Sequence, residues 1–338
     1  MKTLAQFITE KQNFIINKKL STPYNRYEYS PKTREELIEN INEIISKGET
    51  DLNCIDTSNI TDMHHLFDDL EKIHDLNFDV SKWNVSNVTD MEALFINCKK
   101  FNCDLSNWDV SKVKDMSYMF INCEEFDCDL NNWDVSNVKT MDGMFKSCEN
   151  FNCDLSNWNV SNVKHMEFMF KDCKNFEGKG LENWNVSNVE SMSNTFSDCQ
   201  KFDCNLSNWN VSKVKRMEFM FNDCKNFKGK GLENLNVSNI EHMANMFSTC
   251  TNLNCDLSKW DVSNVKCMSD MFAYCVNFDC DLSNWDVSNV TNMNGMFYKC
   301  EKFKGKGLEN WNVDNVQYMK NMFINCKSFK NKPSWYKK

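Results

Sequence analysis

The sequence predicts an α/β solenoid, a single domain in which about eleven coils of 25–26 residues stack on one another. Tryptophan returns at intervals of 25 or 26 residues along most of the 338-residue chain. A valine or isoleucine followed three residues later by methionine marks eleven coils, from Ile60/Met63 to Val316/Met319. One coil cannot bury its own apolar residues, so such a repeat is stable only as an array.

Each coil shows two hydrophobic periods. The tryptophan column consists of Trp83, Trp108, Trp133, Trp158, Trp184, Trp209, Trp260, Trp285 and Trp311, with Leu235 in its one gap. In the coil of Trp133 the apolar Trp133 and Val135 alternate with polar residues, which predicts a short parallel β-strand with one buried face. The pattern Leu-x-x-Trp-x-Val-x-x-Val is close to the leucine-rich-repeat (LRR) template, with Trp and Val in place of Leu.

The second half of each coil has a helical spacing. Val113, Met116, Met119, Phe120 and Cys123 fall at i, i+3, i+6, i+7 and i+10, which predicts a short helical segment. The serine before this stripe is placed as an N-cap, where its oxygen could accept an orphan amide. The fold class is therefore an LRR-like stack of coils that each contain one short strand and one short helical segment.

The chain divides into four predicted parts. Residues 1–30 are an N-terminal extension, and 31–50 form a capping helix that starts at the N-cap Thr33 and ends at Gly48. Residues 51–332 are the solenoid, and 333–338 are a C-terminal tail whose Trp335 is expected to cover the last coil. An amphipathic helix at one end is what an open solenoid requires as a lid.

Runs such as FNCDLSNWDVSNVKTMDGMF and the start CIDTSNITDM resemble the BspA-like repeat family over residues 31–330. This family is also known as a domain of unknown function in mycoplasma-type lipoproteins and surface proteins. The resemblance implies an LRR-like solenoid, often displayed on a surface, with binding or adhesion proposed for its members. It implies no catalytic residues. The chain differs from the surface members of that family in its many cysteines and in the absence of a recognisable export signal.

Composition narrows the functional classes. The net charge of −9 weighs against nucleic acid, because neutralising phosphates requires clustered Lys and Arg. The first twenty residues lack the apolar core and cleavage site of a signal peptide, and no apolar run reaches the length of a membrane span. The expectation is a soluble intracellular protein without membrane insertion, with surface or particle association left open by the family resemblance.

The eighteen cysteines fall mainly into two columns. The first column contains Cys98, Cys123, Cys148, Cys173, Cys199, Cys224, Cys250, Cys275, Cys300 and Cys326, and the second contains Cys103, Cys128, Cys153, Cys204, Cys255 and Cys280. The favoured interpretation is a set of small buried thiols. Disulfides are the first alternative, although in-register side chains run parallel and suit a bridge poorly. Zinc is the second, and the Cys-x₄-Cys spacing is not that of a zinc site.

No catalytic or cofactor site is predicted, because no Ser/His/Asp set breaks the repeat. The Gly-Lys-Gly segments around Lys179, Lys230 and Lys306 lack the frame of a phosphate loop and are interpreted as tight corners in which glycine allows positive φ.

The predicted function is a non-catalytic scaffold that binds a protein partner through the solenoid surface; the alternative is a structural component of a surface layer or particle. The candidate interaction face is the outward polar row that follows each tryptophan, namely Asp109, Asp134, Asn159, Asn185, Asn210, Asp261 and Asp286. Positions that vary between coils are the second candidate surface, in 114–118, 139–143, 164–168, 215–219 and 266–270. Neither candidate indicates which protein is bound or whether the chain forms oligomers.

Overall fold

The computed structural model describes residues 27–68 and 70–336. Within these ranges the single α-helix is α1, Arg34–Ser46, and four short 3₁₀ turns lie at Glu71–Ile73, Leu181–Asn183, Leu232–Asn234 and Leu308–Asn310. All other described residues form turns, bends, isolated β-bridges or irregular backbone. Of the predicted N-terminal extension, residues 1–26 lie outside the described ranges.

Helix α1 begins where the sequence predicts. The Thr33 hydroxyl accepts the backbone N–H of Glu36 at 3.2 Å, and the Glu36 carboxylate accepts the N–H of Lys32 at 2.7 Å. Its apolar stripe, Leu37, Ile41 and Ile44, is fully buried against the first repeat. The helix ends at Ser46 and Gly48 follows with φ +80°, so the capping helix predicted for 31–50 is present with shorter bounds.

Successive repeats lie directly on one another and are joined by parallel β-bridges. The bridged residues are Asp62, Asp90, Asp115, Thr140, His165, Ser191, Arg216, His242, Cys267, Asn292 and Tyr318, each paired with the next. In most repeats, every second N–H after the bridge donates to a carbonyl of the following repeat. In the repeat of Met141 these donors are Met141, Gly143, Phe145 and Ser147, with N···O distances of 2.7–2.9 Å. The 25–26-residue period is therefore the period of a hydrogen-bonded stack.

The prediction of a helical segment in each repeat is wrong. Residues 116–119 and 120–123 form two consecutive turns, closed by Met119 N–H to Met116 O at 3.3 Å and by Cys123 N–H to Phe120 O at 3.0 Å. Each turn has a left-handed third residue, Tyr118 (φ +57°) or Asn122 (φ +61°). The first and last residues of both turns point inward. Tandem turns therefore produce the i, i+3, i+4, i+7 spacing of a helix without forming one.

The prediction of a strand around Trp133 and Val135 is also wrong. Both side chains are buried, as the alternation indicated. However, their backbone forms local turns, with Trp133 N–H donating to Leu130 O and Val138 N–H donating to Val135 O, both at 3.0 Å. The alternation of apolar and polar residues therefore shows correctly which side chains face inward. At this corner, however, no backbone hydrogen-bond ladder joins the repeats.

Every tryptophan makes the same hydrogen bond to the preceding repeat. Trp133 Nε1, for example, donates to Leu105 O at 3.0 Å, 28 residues earlier. The ten donors are Trp83, Trp108, Trp133, Trp158, Trp184, Trp209, Trp260, Trp285, Trp311 and Trp335. The indole rings, buried except for the partly buried Trp335, therefore have their polar atom satisfied, which fixes the register of neighbouring repeats.

An uninterrupted column of phenylalanine rings runs beside the tryptophans. Its members are Phe67, Phe95, Phe120, Phe145, Phe170, Phe196, Phe221, Phe247, Phe272, Phe297 and Phe323. Neighbouring rings in this column are stacked with centroids 5.3–5.7 Å apart. A second phenylalanine column and the methionines complete the interior, so each repeat packs mainly on copies of itself.

The tight corners predicted at the Gly-Lys-Gly segments are confirmed. Gly180 has φ +92°, and a Cβ built there would lie 2.3 Å from the Ser156 backbone nitrogen of the preceding repeat. Gly231 and Gly307 repeat this contact with Ser207 and Ser283. Glycine is therefore required both by the backbone conformation and by the close approach of the neighbouring chain.

The tryptophan column continues into the predicted C-terminal tail. Trp335 stacks on Trp311 with centroids 6.3 Å apart, and its Nε1 donates to Leu308 O at 2.8 Å. The expectation that Trp335 covers the last repeat is confirmed. The packed part of the chain therefore extends beyond residue 332.

Candidate functional site

The predicted interaction row lies on the surface, but its side chains are engaged locally. Asp109, Asp134, Asn159, Asn185, Asn210, Asp261 and Asp286 are all exposed. In each, Oδ1 accepts the backbone N–H of the serine two residues later, at 3.0–3.2 Å. These side chains hold Asx turns, a role that repeats identically around the stack.

Hydrogen bonds from Ser111 and Ser288 in these turns lower the pKa values of Asp109 and Asp286, respectively. The predicted N-cap role of these serines is wrong, since no helix begins there. The polar contact along the stack is made by a neighbouring asparagine row. Asn137 Nδ2 donates to Ser111 O of the preceding repeat at 2.8 Å, and Asn162 does the same to Ser136 O at 2.7 Å.

A shallow groove of about 840 Å³ lies elsewhere, over the bridged residues in the middle of the stack. We call this surface the groove face. It is lined by His165, Glu190, Ser191, Ser212, Lys213, Lys215, Arg216, Asn239, Glu241, Asn264 and Lys266. None of the seven residues of the predicted row lines it.

The backbone below the groove is held by hydrogen bonds between successive repeats. Glu190 N–H donates to Lys164 O at 3.1 Å, Lys215 N–H to Glu190 O at 3.1 Å, and Glu241 N–H to Lys215 O at 2.9 Å. Because the ladder is regular, side chains of successive repeats emerge side by side at strand-like spacing. The groove therefore places chemically different side chains at fixed separations.

The side chains of the groove form a charged network. Arg216 Nη2 contacts Glu218 Oε1 at 2.7 Å, and Ser193 Oγ donates to Glu218 Oε2 at 2.9 Å. Lys266 Nζ contacts Glu241 at 2.5 Å. Lys215 has no ion pair among the described residues. The lining carries four Lys/Arg side chains and two carboxylates, so the groove is locally basic on an acidic protein.

A basic row continues from the groove toward the N-terminal repeats. Lys114, Lys139 and Lys164 are exposed and stand in three successive repeats, with Lys139 N–H donating to Lys114 O and Lys164 N–H donating to Lys139 O, both at 2.9 Å. None of the three ammonium groups has an ion pair within 27–68 and 70–336. Three like charges at adjacent ladder positions attract an anionic partner.

The sequence pointed to part of this surface. The variable ranges 164–168, 215–219 and 266–270 contain His165, Arg216 and Lys266, which the structure brings together in the groove. Glu190, Ser191 and Glu241 were not in those ranges. Ser191 occupies the bridged position immediately before Met192, which contains eight residue types in the eleven repeats, and this variation was its signal. Glu190 and Glu241 lie one position earlier, where the other repeats have Thr, Lys or Gln.

All eighteen cysteines are free thiols. In the first column each thiol from Cys123 to Cys326 donates to a phenylalanine carbonyl of the preceding repeat at 2.8–3.0 Å. Burial raises the pKa of these thiols well above the usual value. The interpretation as a column of small buried thiols is confirmed, and the disulfide alternative is wrong for this structure.

In the second cysteine column, burial raises the pKa values of Cys103, Cys128, Cys204 and Cys255 to about 12. Cys267 lies outside both columns, half-buried on the bridged row beside the groove. Among the residues that the structure describes, no group of three His, Cys, Asp or Glu is placed to hold a metal ion. The same part of the chain contains no helix that combines the length and the apolar character of a membrane span.

Comparison with known protein families identifies the repeats. The model of the family described as "Mycoplasma protein of unknown function, DUF285" matches three times in tandem, at residues 36–153, 123–233 and 220–336. The chain belongs to this family. The matches overlap and together follow the stacked repeats from α1 to the end of the described residues, which agrees with the internal period. A search of the curated proteins finds no match.

Proposed function

We propose that this chain is an LRR-like solenoid of the BspA type that acts as a non-catalytic scaffold and binds a protein through the groove face. One observation carries the proposal: a regular backbone ladder displays His165, Ser191 and Arg216 side by side, although the interior repeats the same residues in each turn of the stack. Solenoid proteins bind partners through such extended surfaces.

The charge of the groove face indicates the kind of partner. Lys213, Lys215 and Arg216 are exposed and adjacent, and the row of Lys114, Lys139 and Lys164 extends the same basic character. A folded protein surface that presents carboxylates and amides would satisfy these donors. The overall charge of −9 disfavours a polyphosphate, since the rest of the surface would repel it.

The test compares two triple charge reversals. Lys213→Glu/Lys215→Glu/Arg216→Glu changes the groove face, and Lys100→Glu/Lys201→Glu/Lys259→Glu changes exposed lysines outside it by the same net charge. Cross-linking and mass spectrometry should identify a protein that contacts the wild type and the control variant but not the groove variant.

Equal cross-linking of all three proteins would contradict the groove as the binding surface. Incorporation of all three into a purified particle or surface layer, without a groove-dependent partner, would favour the structural alternative instead.

A further inference from the structure

The hydrogen bonds between repeats have a direction. In each repeat after the bridge, alternate N–H groups point toward the following repeat, and alternate carbonyls point toward the preceding one. In the last pair of repeats, Met293, Gly295, Phe297 and Lys299 donate to Tyr318, Lys320, Met322 and Ile324 at 2.7–3.0 Å. In this part of the repeat, one end of the stack therefore presents acceptors and the other presents donors, whereas the bonds just before the bridge, such as Lys139 N–H to Lys114 O, run the opposite way.

The acceptor end is closed. Arg34 of α1 donates to the carbonyls of His64 at 2.7 Å and His65 at 2.9 Å in the first repeat. The same helix buries Leu37, Ile41 and Ile44 on that end. The helix therefore covers the apolar groups of the first repeat and satisfies two of its carbonyls.

The donor end is open. The N–H groups of Met319, Asn321, Phe323 and Asn325 occupy the positions that donate in most interior repeats, and none has an acceptor among the described residues. We call these four groups the open edge. Asn321 and Asn325 both have φ +62°, as in the interior repeats, so the backbone already holds the donating conformation. Unpaired backbone donors in a row are a template for another chain.

Apolar side chains flank the open edge. Tyr318 and Ile324 are 55% and 43% exposed, and Val316 is only partly buried although its equivalents inside the stack are fully buried. Trp335 and Tyr336 cover the adjoining aromatic columns, with the Tyr336 ring edge-on to Phe323 at 4.9 Å. The aromatic interior is thus covered while the backbone edge is not.

The surrounding charge is opposite to that of the whole protein. Residues 299–338 contain ten Lys and three Asp/Glu, a net charge of +7 in a chain of net charge −9. Lys320, Lys327, Lys330 and Lys332 all lie close in sequence to the open edge and are exposed. Four N–H donors in a row with a positive surround favour a partner that offers acceptors and negative charge.

We propose that the open edge binds an acidic peptide segment of another protein, which lies along 319–325 and presents carboxylate and carbonyl oxygens to the four N–H groups. A second copy of this chain fits poorly, because the four N–H groups of two open edges would face each other donor to donor and α1 lies over the first repeat. Carboxylates accept hydrogen bonds without donating any, which matches this edge. The open edge is a separate surface from the groove face, so the two proposals do not depend on each other.

The test uses a fluorescent ten-residue peptide of alternating Glu and Val, with the Gln-for-Glu peptide as its neutral control. Fluorescence anisotropy should show binding of the acidic peptide at low salt, weakened at least tenfold by Lys320→Glu/Lys327→Glu/Lys330→Glu. The triple groove variant Lys213→Glu/Lys215→Glu/Arg216→Glu has the same charge change and should keep the wild-type affinity.

Hydrogen exchange measures the protection of the backbone N–H groups directly. The N–H groups of Met319, Asn321, Phe323 and Asn325 should exchange faster than those of Met293, Gly295, Phe297 and Lys299 in the free protein, and should become protected when the acidic peptide is added.

Four results would overturn the proposal: no binding of the acidic peptide, protection in the groove instead of 319–325, slow exchange of the open edge in the free monomer, or protection of this edge by a dimer seen in sedimentation.

Discussion

The buried columns and the groove face belong to the same stack of repeats but differ in how far their residues vary from one repeat to the next. Inside, Trp133 has the surroundings of Trp108, and Phe145 has those of Phe120, because each side chain packs on its own equivalent in the neighbouring repeat. Outside, Thr140, His165 and Ser191 occupy equivalent places with different chemistry. Packing restricts the residue type only where the side chain is enclosed. The varied outer row is therefore where this fold can encode a partner.

The largest expected effect tests the buried thiols of the interior. Burial raises their pKa values, so the folded state keeps these protons while the unfolded state loses them above about pH 9. Stability is thus full below the unfolded pKa and falls as pH rises through and beyond it. Each thiol should cost about 1.4 kcal/mol one pH unit above its unfolded pKa. Urea unfolding midpoints with reductant at pH 7, 9 and 10 would measure this loss.

A return to pH 7 should restore the fold, which separates thiol ionisation from irreversible oxidation. A midpoint that stays constant from pH 8 to pH 10 would mean that the thiols are not buried as the structure has them.

Truncation of one interior tryptophan is expected to have the next largest effect. Trp133→Ala removes a buried ring stacked on Trp108 and the bond from Nε1 to Leu105 O, and should destabilise the protein by about 3–5 kcal/mol. Trp133→Leu should cost less, because this chain accommodates Leu235 in the same column. Chemical denaturation of both variants gives the comparison. A cost below about 1 kcal/mol for Trp133→Ala would remove the tryptophan column from the core.

Substitutions of glycine can separate the cost of a positive φ from the cost of close packing. Gly180→Ala must accept positive φ and also places Cβ against the Ser156 backbone, so it should cost at least about 2 kcal/mol. Gly48→Ala is the matched control: its φ is +80°, but nothing lies within 4 Å of the added Cβ. Thermal or urea unfolding should show a clearly smaller loss for Gly48→Ala. Equal losses would show that the approach of the preceding repeat is unimportant.

The smallest expected effect belongs to the groove face. Arg216 is 56% exposed, and its partner Glu218, though only 13% exposed, also accepts from Ser193 Oγ, so Arg216→Ala should change the free energy of unfolding by no more than about 1 kcal/mol. The same unfolding assay as for Trp133→Ala provides the scale. A loss comparable to that of Trp133→Ala would show that the outer row is part of the structural framework, and the contrast between interior and groove would fail.

The sequence predicted the interior more accurately than the backbone. Trp133, Val135 and Cys148 are buried as their periodic positions indicated, because burial leaves a repeating apolar signal. The local backbone was misassigned because two consecutive turns at 116–119 and 120–123 place apolar residues at the spacing of a helix. Hydrogen bonds between repeats involve main-chain atoms, which leave no such signal.

The candidate site was only partly predictable. Exposed rows such as Asp109 and Asp134 are easy to see in a repeating sequence. However, Asp recurs there because its side chain forms an Asx turn in each repeat. The groove depends on residues that differ between repeats, such as Glu190 and Arg216. From a periodic pattern alone, such residues look the same as solvent-exposed residues without a function. Their significance appears only when the ladder brings them side by side.

Each tryptophan Nε1 donates a hydrogen bond to the preceding repeat. This hydrogen bond restricts how the length of such a protein can change. Deleting one whole period, for instance by joining residue 133 directly to 159, would leave the next indole facing a leucine carbonyl at the usual separation along the chain. A deletion of half that size would bring a tryptophan opposite a turn with no matching acceptor. Genes for this architecture are thus expected to grow and shrink in whole units of 25 or 26 codons, with each insertion extending the outer surface by one position.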